Sequence, residues 1–414
     1  MSRRVLFVLL FIVLLDAIGF GLVYPLFSIM VFDPHSTLLH PSTSQATRGV
    51  ILGILLSAMP IIQMMVAPWI GRLSDRYGRR LAILCCLSFG LLSCIGAAIC
   101  VEMKFLVGLI LSRACMGVCF VSYALVNTCI VDVSGEKDRG RRLAWVQSAF
   151  GAGFALGPLL GGILVNETLF STVSFARPFI VSAVLVITNI ICVVLWLPET
   201  RTPETQTSET QGNRRSGIRG LLSLDKTVLL LLLATFCFCF GWSMYFEFLP
   251  VLWIKRFTMS PSEVSVYFSY SGLWYVLLCT FLVGPMLKLF RPQILFEKAS
   301  LMLAILIVPV FFITIPALYF LLLPLHNVCV AFLFPLAALI MSERAAPDDR
   351  GRIMGFMTSA ESLGLGLSPC VAGPLLGLHL LTPMVVAIIC LSLASITTRY
   401  VRKKEELEKS FLSA

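Results

Sequence analysis

Apolar stretches of roughly 20 residues recur along this 414-residue chain with only short polar turns between them. In a hydrocarbon layer every backbone N–H and C=O must be satisfied within the segment, which selects helices. The stretches lie at 5–32, 49–71, 81–101, 105–130, 143–165, 178–197, 227–253, 264–287, 294–315, 318–341, 354–381 and 383–400. They predict an all-α integral membrane protein of twelve transmembrane helices. Only 13% of the residues are charged and 58% are hydrophobic, against about 25% charged in soluble proteins. The first stretch is too long for a signal peptide and lacks a small-residue cleavage site, so it counts as a span. Most of the 14 cysteines sit inside apolar runs, as in Cys85-Cys86, Cys237 and Cys239, and read as small apolar residues. With four scattered histidines and no paired CxxC motifs, no metal or cofactor is expected.

A net charge of +10 would suit nucleic acid, but the basic residues lie in loops and form no basic face. Most of the 32 Lys and Arg fall in alternate loops, on the side of Arg3, Arg4 and the four arginines of 71–80. The positive-inside rule makes that side cytoplasmic, with both termini on it. The outer loops keep Arg48, Lys104, Arg177, Lys255 and Arg256, and Arg113 is left within a span. Compact loops point to a bacterial inner membrane. Asn166-Glu167-Thr168 is a glycosylation sequon only in a eukaryotic host.

The segment 198–226 is rich in Thr, Glu, Gln and Arg and reads as a flexible linker. It divides the spans six and six: a bundle over 1–197, a bundle over 227–400, and a charged tail over 401–414. The halves are related in sequence. Asp138-Arg139-Gly140-Arg141 aligns with Asp349-Arg350-Gly351-Arg352, and the register runs on through Ser148/Ser359, Gly153/Gly364, Pro158/Pro369 and Gly162/Gly373. Two homologous bundles around a central pathway are a transporter architecture.

Between the second and third spans stands Gly71-Arg72-Leu73-Ser74-Asp75-Arg76-Tyr77-Gly78-Arg79-Arg80. It resembles the G-x-L-x-D-R-x-G-R-R loop of the major facilitator superfamily. The resemblance implies a gating role for Gly71, Asp75, Arg76, Gly78, Arg79 and Asp132: Asp75 would meet the start of the eleventh span, and Arg79 would meet Asp132. The fifth span, Gly153-Phe154-Ala155-Leu156-Gly157-Pro158-Leu159-Leu160-Gly161-Gly162, places glycines 153, 157 and 161 on one stripe that a neighbouring helix can approach closely. It also resembles the G-x-x-x-G-P-x-x-G-G motif of the drug:proton antiporter branch. Leu15 to Pro25 resembles the first span of tetracycline-efflux-type antiporters, and Arg113-x-x-x-Gly117 the arginine motif of their fourth span.

Asp16 lies about 11 residues into the first span, roughly 16 Å deep. Arg113 enters the fourth from the other side, roughly 12 Å deep. The two are expected to pair, or to compete for a proton and a substrate charge, since intramembrane charges are costly unless they have such a role. Pro25 supplies a bend point in the first span. Glu247 and Glu361 are further candidates for lining a cavity. Tyr270 and Trp274 belong to an i, i+3, i+4, i+7 stripe that could stack on a planar or cationic substrate or pack against helices. Gln63 and His326 are weaker polar candidates.

The second half departs from the pattern. No aspartate follows Gly284 where a second signature loop would stand, and the ninth span carries no mid-span acid, so tetracycline itself is not implied as cargo. The resemblance implies a proton-coupled antiporter exporting a small amphipathic organic molecule, acting as a monomer in the bilayer. Proton-coupled uptake is the alternative within transport, and a non-transporting receptor the alternative outside it. Phosphate loops, metal clusters and Ser/His/Asp arrangements are absent from the sequence, so an enzyme is not indicated.

Overall fold

The protein is described by a computed structural model over residues 3–32, 38–132, 134, 136–166, 174–200, 224–344 and 350–413. Among these residues there are helices and no strands. Glu167 and Thr168 of the sequon, most of the linker, and Asp349 of the repeat lie outside the described residues.

The first half comprises α1 (Arg3–Val23), α2 (Leu26–Phe32), α3 (Gln45–Tyr77), α4 (Arg79–Glu102), α5 (Leu106–Asp132), α6 (Glu136–Val165) and α7 (Ala176–Trp196). The second comprises α8 (Lys226–Phe257), α9 (Pro261–Phe281), α10 (Val283–Leu289), α11 (Pro292–Ile307), α12 (Tyr319–Arg344), α13 (Arg350–Leu375) and α14 (Thr382–Ser413). The helices start where the chemistry allows it. Ser44 caps α3 by accepting from the Thr47 N–H, and Asp225 caps α8 by accepting from Thr227. Ser260 and Glu263 form a capping box ahead of α9, with Pro261 in its first turn.

Eleven segments of the described chain are long and apolar enough to cross a membrane. The remaining predicted span corresponds to α13, whose glycines, serines and Glu361 lower its hydropathy. The first predicted span breaks at Tyr24-Pro25, where proline removes a backbone donor, and α2 resumes with all seven residues buried. The predicted ninth span, 294–315, is helical only to Ile307. Two 3₁₀ turns follow, Val308–Phe311 and Pro316–Leu318, each with proline in its first turn. The last helix does not end near 400 but continues through the charged tail to Ser413. Ion pairs hold that continuation. Arg402 binds Glu297 of α11 at 3.0 Å and Glu406 at 2.9 Å, and Arg344 of α12 pairs with Glu405.

Glycines fix how the helices pack. A Cβ at Gly153 would collide with the Leu14 carbonyl, one at Gly157 with the Gly21 backbone, and one at Gly161 with the Leu22 carbonyl. The stripe of α6 therefore seats on α1, and Gly21 in turn abuts Pro158. Gly162 faces Ser265 of α9 in the other half. In α13, Gly364 abuts α8 at Phe236, Cys239 and Phe240, while Gly373 meets Gly49 of α3. Aligned residues of the repeat thus make equivalent contacts. Gly153 and Gly364 pack inside their own halves, and Gly162 and Gly373 pack across to the other.

Contacts between the halves gather away from the arginine-rich face that carries the 71–80 loop. There Gly49 meets Gly373, Gly53 meets Pro369, and Lys255 lies 5.7 Å over the Phe32 ring. Arg48 is buried on this side, donating to the carbonyls of Val31, His40 at 3.1 Å and Thr43 at 3.2 Å. On the arginine-rich side, Gly71 of α3, Gly284 of α10 and Gly355 of α13 have open space where a side chain would stand.

Candidate functional site

The break after α1 leaves Asp16 in an unbroken helical stretch, partly exposed to a cavity of about 30 Å³ inside the first half. That volume suffices for a water molecule or two by the usual ~10–15 Å³ criterion. Asn189 of α7 donates to Asp16 Oδ1 at 2.6 Å, and Ser122 of α5 donates to Oδ2 at 3.1 Å. The same Asn189 amide reaches the Ile12 carbonyl at 3.2 Å, which fixes its orientation. Cys94, Cys119, Tyr123 and Phe150 complete much of the wall. Both donors to the carboxylate are neutral.

Arg113 does not pair with Asp16, contrary to the expectation from depth. Its guanidinium lies over Phe27 at 4.7 Å and Phe20 at 5.6 Å, both further along the first span than Asp16. On α5 the residue level with Asp16 is Ser122, nine positions or roughly 13 Å from Arg113. Arg113 is 4% exposed, and its Nε has no hydrogen-bond partner.

Glu247 of α8 shares the neighbourhood of Arg113 instead. Its carboxyl lies beside the hydroxyls of Tyr24 and Ser243, and Arg113 is the cation within electrostatic reach. Oε2 of Glu247 is enclosed without a hydrogen bond. Aromatic rings from both halves surround the group. Tyr24 stacks on Phe246 with centroids 6.3 Å apart, Phe246 stacks on Trp242 at 4.7 Å, and Phe154 and Phe268 meet the same rings.

The remaining candidates separate by their neighbours. Glu361 is partly exposed on α13 close to Cys239, with no hydrogen bond or ion pair to another described residue. Gln63 lies partly exposed where Gly117 packs against the α3 backbone. His326 is not a cavity residue. It is 1% exposed, within 2.9 Å of the Leu306 carbonyl and 3.4 Å of the Tyr245 hydroxyl, inside the second half. Tyr270 donates to the Phe320 carbonyl at 2.9 Å and meets Trp274 edge-on, so this pair joins α9 to the start of α12. The Tyr270 hydroxyl is committed to that contact, and both rings keep partial exposure.

At the signature loop, Gly78 has φ +102°, a conformation suited to glycine, and a Cβ there would strike Glu199. Arg79 Nε donates to Asp132 Oδ2 at 3.1 Å, and Nη1 donates to Ser74 Oγ at 3.0 Å and Asp75 Oδ1 at 2.5 Å. Asp75 engages Arg79 of its own loop here, and its side chain is 42% exposed; residues 345–349, which lead into the eleventh span, lie outside the described residues. Arg76 lies over the Tyr77 ring at 5.3 Å, and Gly71 is uncovered.

Sequence reasoning missed Asn189, Ser122, Tyr24 and Glu199. Glu199 accepts the backbone N–H of Arg79 at 2.9 Å and of Arg80 at 3.2 Å, placing an anion on the N-terminus of α4. The available signal was weak: an asparagine and a tyrosine in apolar runs, and an acid just past a helix end.

Among curated proteins, the tetracycline resistance protein, class B, of Escherichia coli is 31% identical over 196 residues, 46% of this chain and 44% of that protein. The match thus spans less than half of that relative's length. The quinolone resistance protein NorA of Staphylococcus aureus is 25% identical over 405 residues, covering 97% of each chain. The crystal structure of a D-xylose-proton symporter superposes with TM-score 0.77 at 15% identity, covering 95% of this chain and 96% of that one. It shares the fold. The Major Facilitator Superfamily profile matches residues 9–369 and again 231–411, and the chain belongs to that superfamily.

Proposed function

We propose that this chain is a secondary active transporter that exports a small amphipathic organic compound in exchange for protons and converts nothing chemically. The observation that carries the coupling is the setting of Asp16. An acid within a span needs a neutralising partner, and its carboxylate is held by two neutral donors in a water-sized cavity. A proton is the partner that fits. The names of the relatives, resistance to tetracycline and to quinolones, support export as the direction.

In this reading the arginine-rich face is cytoplasmic. The halves 1–197 and 227–400 rock about a central site, joined by the linker 198–226, and the protein works as a monomer in the cell membrane. Proton release and uptake at Asp16 bias which face is open. The gate of Gly71, Asp75, Arg76, Gly78, Arg79 and Asp132 closes the cytoplasmic side when the outer side opens, with Asp75 leaving Arg79 for the eleventh span. A pH-gradient-driven assay in inverted vesicles tests the reading. Net uptake of a lipophilic dye on acidifying the lumen, lost in Asp16→Asn, is the expected result. Full proton-dependent transport by Asp16→Asn overturns it.

A further inference from the structure

Proton coupling at Asp16 leaves Glu361 of the second half without a role, yet the repeat relates the two acids. A Cβ at Gly153 would meet the Leu14 carbonyl oxygen, the Ala17 Cβ and the Ile18 nitrogen. One at Gly364 would meet the Phe236 carbonyl oxygen, the Cys239 Cβ and the Phe240 nitrogen. The same atoms at the same spacing seat α6 on α1 and α13 on α8 in one register. In that register Phe238 of α8 stands where Asp16 stands on α1, and Glu361 of α13 stands where Phe150 stands on α6. Phe150 lines the Asp16 cavity. An acid and a phenylalanine have exchanged helices, so each half carries an acid at this level of its paired helices. Glu361 lies about 11 residues, roughly 16 Å, beyond the start of α13.

Among the described residues nothing neutralises Glu361. The hydroxyls nearest along its helix are spent on the backbone, Thr358 donating to the Met354 carbonyl at 3.1 Å and Ser359 to the Gly355 carbonyl at 2.9 Å. On α8 the titratable neighbour is the Cys239 thiol. On α3, which packs along α13, residues 49–71 hold no titratable side chain. Within the spans of α12 and α14 the titratable groups are Tyr319, His326, Cys329 and Cys390, none of them a lysine or arginine. A bare carboxylate inside a span is costly, and the partial exposure of Glu361 lets it exchange a proton with water.

We propose that Glu361 is a second proton carrier, so that each turnover moves two protons, one on an acid of each half, against one cargo molecule. This rests on the transport reading above and sets its stoichiometry and its response to voltage. Two protons moving inward against a singly charged cation moving outward carry net charge across the membrane. One proton against the same cation carries none.

The test is steady-state accumulation of ethidium, a permanent monocation, in inverted vesicles holding the full-length protein, with no membrane voltage. Each coupled proton supports about tenfold accumulation for a pH difference of one unit. The unaltered protein is expected to reach about a hundredfold and Glu361→Gln about tenfold, with Asp16→Asn at background because Asp16 biases which face is open. A lumen-positive voltage without a pH difference should drive uptake by the unaltered protein and not by Glu361→Gln. Infrared difference spectra of the purified protein between acid and alkaline pH add a readout free of cargo. The protonated-carboxyl absorbance should lose one component in Asp16→Asn and a different one in Glu361→Gln. Accumulation by the unaltered protein that stops near tenfold and ignores voltage overturns the second proton without reliance on a variant, and leaves the transport reading intact. So does a Glu361→Gln protein with the parent's accumulation, voltage response and spectrum. Absence of any pH-driven accumulation overturns the transport reading, and Glu361 then fails as a proton carrier only if its variant leaves the infrared spectrum unchanged.

Discussion

Asn189 of α7 grips Asp16 of α1 by a 2.6 Å hydrogen bond while its own amide is anchored on the Ile12 carbonyl one turn earlier. The asparagine thereby ties the last helix of the first half to the first. A hydrogen bond to a charged group is worth about 1.5–3 kcal/mol. Asn189→Ala is therefore expected to lower proton-driven transport about tenfold, and Asp16→Asn to abolish it. Rates in proteoliposomes under an imposed pH gradient check both. If Asn189→Ala transports like the parent, the carboxylate does not need this donor.

Helix α6 has no spare room where its glycines meet α1. Gly157→Val drives a branched side chain into the Gly21 backbone and should cost about 1–3 kcal/mol, the usual range for overpacking. Gly284→Ala meets open space and should leave the melting temperature in detergent unchanged or slightly raised. Equal melting temperatures for the two variants would show that the stripe is not tightly packed in solution.

The arginine at the start of α4 has unequal partners. Arg79 and Asp132 are both 6% exposed, so removing one strands the other charge, and Asp132→Asn should cost about 3 kcal/mol. Asp75 is 42% exposed, and Asp75→Asn should cost less than about 1 kcal/mol. Denaturation of the two variants in the same detergent measures the difference. A larger loss for Asp75→Asn contradicts the burial argument.

Glu297 is 3% exposed at the start of α11 and depends on the last helix for its counter-charge. Arg402 lies 3.0 Å away, whereas Arg399 lies 4.0 Å away and is 59% exposed. Arg402→Gln should lower stability by about 2–3 kcal/mol, with little effect from Arg399→Gln. The double variant Arg402→Gln with Glu297→Gln should recover much of the loss. Absence of that recovery would indicate that the pair contributes nothing beyond side-chain volume.

The architecture was legible because membrane helices are written in long runs of one composition, and because the repeat kept its register. Aligning Gly153 with Gly364 and Gly162 with Gly373 anticipated positions whose contacts proved equivalent. The site was less legible, since it depends on how each helix is turned. Arg113 and Asp16 seemed level by residue count, yet Arg113 extends over Phe20 and Phe27 and leaves Asp16 to Ser122. His326 and Tyr270 looked available until Leu306 and Phe320 offered carbonyls to them. Glu199 sits far from the 71–80 loop in sequence, and nothing local indicates that it folds back onto Arg79 and Arg80.

That fold-back has a consequence for the continuity of the chain. Glu199 completes the start of α4 before the chain leaves the first half, and Asp225 completes the start of α8 as it enters the second. Each of these two caps is made within its own bundle, and neither is borrowed across the connection. What the covalent join supplies is effective concentration, the raised chance that one half meets the other. Two separately synthesised halves held at sufficient density in one bilayer would each keep these caps.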